Sequence, residues 1–164
     1  MEQIATLTTL QSLIAGALLA VIGGVAGEWL RMQLEKHQER TFIKIGLSDE
    51  LSEIHSTINR LKETFDKTEL AHGSYLIDLA NVEAYNHHRR RLFLLKGKDF
   101  RHKIASFYKR LNDCIRSSEG KVGTLADTPE SKAEQKEIVT KLCGFANEAE
   151  VIKSALERKV WGLF

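Results

Sequence analysis

The sequence predicts an all-α protein: an N-terminal transmembrane helix followed by a cytosolic helical bundle of about four helices. Three observations predict it. Gln3–Gly27 passes without a charge between Glu2 and Glu28. Downstream, apolar residues recur at alternating spacings of four and three, the period of a helix seam. The 164 residues contain one proline, Pro129, so little interrupts a helical chain.

The uncharged stretch defines an anchor over residues 1–28, with a single span at about 4–27. As a helix rising ~1.5 Å per residue it reaches roughly 37 Å, against a hydrocarbon core of about 30 Å. A helix satisfies its own backbone hydrogen bonds in lipid, so one segment can cross alone. A cleaved signal peptide would need a basic start, and only Met1 and Glu2 precede the apolar run. A buried core helix stays open as an alternative, because Leu13–Ala26 is the only strongly apolar part and Thr6, Thr8, Thr9, Gln11 and Ser12 dilute the first half. Arg31, Lys36, Arg40 and Lys44 follow the span and no cation precedes it. The positive-inside tendency then orients a single-pass protein with its N-terminus outside and its C-terminal domain in the cytoplasm; the expected location is the cell inner membrane. Trp29 falls where an interfacial aromatic sits. Ser12, Gly16, Ala20 and Gly24 recur every four residues, with Gly23 and Gly27 a second small pair. Small residues let helix backbones approach closely in lipid, which predicts a homo-oligomer packed through this face, as a pore or as a tether.

Residues 29–47 read as a juxtamembrane helix or linker, with Gly46 a hinge and Ser48 an N-cap opening the bundle domain, 48–164. Leu47, Leu51, Ile54, Ile58, Leu61 and Phe65 form the clearest seam, a bundle helix rather than a free coiled coil at this length. Ala71-His72-Gly73-Ser74 is a turn signal. Tyr75–Ala80 is apolar and ambiguous, a possible helix start. Asn81–Lys96 carries Val82, Tyr85, Leu92 and Leu95 on one helix face; a short strand at Leu92–Leu95 is the alternative. Gly97 ends that segment. Phe100, Ile104, Phe107, Leu111 and Ile115 mark a helix over Asp99–Ser117. A loop with Gly120, Gly123 and Pro129 follows, and Thr128 before Pro129 starts a last helix to about Lys159. Its stripe is Ile138, Leu142, Phe145, Ala149, Ile152 and Leu156. The apolar tail Val160–Phe164 is expected to dock on the bundle, the membrane or a neighbour. Cys114 and Cys143 lack metal-ligand spacing and read as reduced packing residues.

The formal net charge of +2 conceals an asymmetry. Asn86–Arg110 holds nine Lys/Arg against one acid, Asp99. Enzymatic motifs are missing: no HExxH, no G-x-S-x-G, and Gly120-Lys121 lacks the rest of a phosphate loop. His87 and His88, adjacent on a helix, point about 100° apart and make a poor metal pair. The expectation is a protein with no catalytic residues, no metal and no cofactor. The candidate ligand-binding residues are His88, Arg89, Arg90, Arg91, Lys96, Lys98, Arg101 and Lys103. On a regular helix Arg89 falls between Val82 and Tyr85 on the apolar stripe, and a charge there demands an acidic neighbour or an anionic ligand. Arginine's planar fork suits phosphate. A solvated cationic face is the plain alternative. Nucleic acid, anionic lipid headgroups and a small phosphate ligand such as a nucleotide all fit the charge.

A short span at Ser12–Gly27, followed by a compact domain bearing the Arg89–Arg91 block, resembles the small membrane effectors of bacterial antiviral defence, including the cyclic-oligonucleotide-gated kind that accompanies type III CRISPR systems. The resemblance implies that the cytosolic domain binds a nucleotide signal, a cyclic oligonucleotide among the options, and that the protein then alters the membrane in antiviral defence. The functional expectation is a membrane-anchored homo-oligomeric sensor, its partners being the lipid bilayer, further copies of itself and an anionic ligand. Its rival is a non-enzymatic tethered scaffold that binds a partner protein through the seam at Leu51, Ile58 and Phe65 or through the tail.

Overall fold

The computed structural model describes residues 2–119, 121–122 and 128–161, with side chains described for 13–119, 121–122 and 128–158. Every regular element among them is helical: α1 (Glu2–Thr68), α2 (Gly73–Ala80), α3 (Glu83–His88), a 3₁₀ segment (Arg89–Leu94), α4 (Lys98–Ser118) and α5 (Pro129–Trp161). The chain divides into two compact units, Met1–Glu39 and Arg40–Phe164.

The first unit consists of the N-terminal part of helix α1. From Leu13 to Gln38 every described side chain is exposed, including Leu18, Leu19, Ile22, Val25 and Trp29. By length and composition α1 is the one helix among the described residues able to cross a membrane. Within the single chain, Gly16, Gly23, Gly24 and Gly27 have nothing near the position a Cβ would take, and Ala20 is exposed.

The second unit holds the core. Ile43, Leu47, Leu51, Ile54, Ile58 and Leu61 of α1 are buried, so the seam continues one turn further toward the N-terminus than Leu47. Facing them are Ile104, Phe107, Leu111 and Ile115 of α4 and Ile138, Leu142, Ala149, Ile152 and Leu156 of α5. Phe65, Phe100 and Phe145 pack at the margin. Each of these large side chains gains about 1.5–3 kcal/mol by leaving water. Phe107 meets Phe145 edge-on at 6.0 Å between centroids. Arg110, whose Nη2 donates to Glu148 at 2.6 Å, lies over the same Phe145 ring. Cys114 and Cys143 pack against the core as unbonded thiols, and burial pushes both above the usual thiol range.

Several local expectations need correction. Gly46 is helical, not a hinge. A Cβ there would meet His88 Nε2 at 3.4 Å, so this glycine makes room for α3 against α1. Ser48 caps nothing; it lies inside α1 and donates from Oγ to Glu157 at 3.2 Å. The turn after α1 comes earlier than expected, with Glu69 at φ 56° and Gly73 already in α2. Leu76 and Leu79 bury one face of α2. Thr128 does start α5: its Oγ1 accepts from Ser131 N–H at 3.3 Å. Gln135 of α5 is 1% exposed, takes Ala71 N–H at 3.0 Å and donates to Lys121 O. Gly120, Gly123 and the end of the apolar tail lie outside the described residues.

Candidate functional site

The expected single helix over Asn81–Lys96 is two pieces, and the break decides where the charges go. Val82 precedes α3 and offers no side-chain cap. Glu50 of α1 supplies one instead. Its carboxylate accepts Ala84 N–H at 2.7 Å and Tyr85 N–H at 3.1 Å, two donors that a helix start leaves unpaired. Glu50 is 8% exposed; burial raises its carboxyl above the ordinary 4.5, while these hydrogen bonds pull the other way. The Tyr108 hydroxyl lies near this carboxylate, short of a closed hydrogen bond. Burial first, then the Glu50 charge, push its phenol above the usual range. Tyr108 stacks on Tyr85 at 4.1 Å.

Six residues later α3 stops at His88, a buried side chain set against Gly46 and edge-on to Phe42 at 5.6 Å. The chain tightens into the 3₁₀ segment Arg89–Leu94. A 3₁₀ helix turns every three residues, so side chains three apart eclipse. Leu92 is buried, and Leu95, three residues on, is buried with it. Arg90 and Phe93 share another, exposed edge. Leu95 N–H closes the segment on Leu92 O at 3.0 Å. Gly97 then takes φ 93°, a conformation open to glycine, and turns the chain into α4.

This geometry overturns one expectation directly. Arg89 does not lie buried on the apolar stripe; it is exposed, at the junction where α3 ends and the 3₁₀ segment begins. Arg90, Arg91, Lys96, Lys98 and Lys103 are exposed as well. Arg101 is half-buried, and its Nη1 donates to Leu95 O at 2.8 Å, so it fixes the end of the 3₁₀ segment. His88 stands apart from the cations. It lines an open groove of about 630 Å³ with Phe42, Asp49, Glu50, Glu53 and Glu83. Among the described residues, Arg89, Arg90, Lys96, Lys98 and Lys103 form no ion pair with an acid. Among the described residues, then, five cations without an acidic partner lie on the 3₁₀ segment (Arg89, Arg90), just after it (Lys96) and in the first turns of α4 (Lys98, Lys103). Charge density was readable in the sequence; the cap by Glu50 was not.

Among the described residues no group of three or more His, Cys, Asp or Glu side chains is arranged to hold a metal. No family model, curated protein or solved structure matches the chain.

Proposed function

We propose that the chain is a single-span membrane protein whose cytosolic helical domain binds a phosphate-bearing ligand through the cationic segment at Arg89–Arg91, Lys96, Lys98 and Lys103. One observation carries the reading: among the described residues five of these exposed cations have no acidic partner, Arg89 and Arg90 on a 3₁₀ segment whose backbone is fixed by buried Leu92 and Leu95, and Lys96, Lys98 and Lys103 in the chain that follows it. A solvated face usually intersperses both signs; here Asp99 is the lone acid across the stretch. Guanidinium groups at Arg89, Arg90 and Arg91 supply the bidentate geometry that phosphate oxygens accept. Nucleotides, cyclic oligonucleotides among them, and lipid headgroups share this chemistry. The exposed apolar run from Leu13 to Ala26 supports the anchor. Leu51 and Ile58 of the seam are buried in the domain's own core, which leaves those two positions unavailable to a scaffold's partner, while Phe65 packs at its margin.

A thermal-shift series on the full chain in detergent tests the reading with adenosine triphosphate, a cyclic oligoadenylate and inositol hexakisphosphate. A ligand at 100 times its Kd adds about 2.7 kcal/mol, a rise of several degrees for this size of domain. The expected result is a rise with at least one polyphosphate that vanishes when Arg89, Arg90 and Arg91 become Gln, the ligand-free midpoint staying in place. No rise with any of them, or a rise that survives the triple substitution, overturns it.

A further inference from the structure

We infer that the cationic 3₁₀ segment docks on an anionic phospholipid surface, with Phe93 as its inserting side chain. The inference rests on the phosphate reading above and names the source of the phosphate. Phe93 is 68% exposed, in a segment whose other large apolar residues, Leu92 and Leu95, are buried. The three-residue period that turns those two inward turns Phe93 outward, on the edge it shares with Arg90. An aromatic ring standing among unpaired cations is poorly matched to water and well matched to a bilayer boundary. There the ring enters the acyl region while guanidinium and ammonium groups stay with the headgroup phosphates. The charge pattern also fits: each Lys or Arg close to an anionic leaflet adds about fivefold to the partition constant. A covalent span would keep the domain within reach of that leaflet, so weak contacts suffice.

The test places a reporter at the inserting position of the full chain. Phe93→Trp is reconstituted in nanodiscs of zwitterionic lipid, or of lipid containing phosphatidylglycerol, each with and without acyl-chain bromine. The unsubstituted chain, which carries the same native Trp29 and Trp161, supplies the background. The expected result is a blue-shifted, bromine-quenched signal from position 93 in the anionic discs, weak in the zwitterionic ones. Adding Arg90→Gln or Lys96→Gln should lower the quenched fraction, by about fivefold in the underlying equilibrium for each charge removed. Equal emission in both lipids, or quenching indifferent to these charges, overturns the inference. Failure here alongside an arginine-dependent thermal shift leaves the phosphate reading standing with a soluble ligand. Failure of both removes the two together.

Discussion

Glu50 caps a helix 34 residues further along the chain, and that reach is why the sequence concealed it. Its register, three residues after Leu47 and four before Ile54, sets it at the edge of the seam and apart from Asp49 and Glu53, but that register alone does not name the donors it meets. Only the folded arrangement brings it under Ala84 and Tyr85. Glu50→Ala would leave both N–H donors unpaired in a buried setting, so the domain should lose about 1–3 kcal/mol, read by chemical denaturation. The carboxyl also carries a pH signature. Burial raises its native value above the 4.5 of the unfolded chain, so the folded state binds the proton more tightly. That contribution is complete below 4.5 and is lost as pH rises through the native value. The midpoint of the unsubstituted chain, measured against Glu50→Gln, should therefore fall from pH 4.5 toward neutrality. A flat difference, or one of the opposite slope, would show that the cap's hydrogen bonds outweigh its burial.

Elements with long, regular patterns were legible: the α1 seam, the α4 stripe and the α5 stripe all lie in the core as their spacing implied. The α3–3₁₀ junction was not. Its apolar residues, Val82, Tyr85, Leu92 and Leu95, satisfy a helical period well enough to read as one helix. What breaks it is tertiary: His88 seats in the gap left by Gly46, and the tighter turn that follows carries Leu92 and Leu95 into the core. Arg89, expected on the buried stripe, stands at the surface at this junction. Gly97 holds the other end of the segment at φ 93°. Gly97→Ala would force an L side chain into that region and should cost about 1–3 kcal/mol in the melting of the domain. It should also weaken polyphosphate binding, because the Gly97 turn leads into α4, whose Arg101 holds Leu95 O. Unchanged stability would mean that the turn relaxes to a different backbone at little cost.

At the scale of the molecule, the core draws only on residues from Ile43 onward among those described, while the exposed apolar run lies before Glu39. The proposed function gives the two units different solvents: water for the helical domain, lipid for the N-terminal stretch. Alkaline carbonate extraction of membranes from expressing cells tests that division most directly, comparing the full chain with residues 40–164. The full chain is expected to stay with the membrane pellet, and residues 40–164 to be released and to melt cooperatively as a folded domain. Release of the full chain, or a shortened chain that is insoluble and unfolded, would contradict that division.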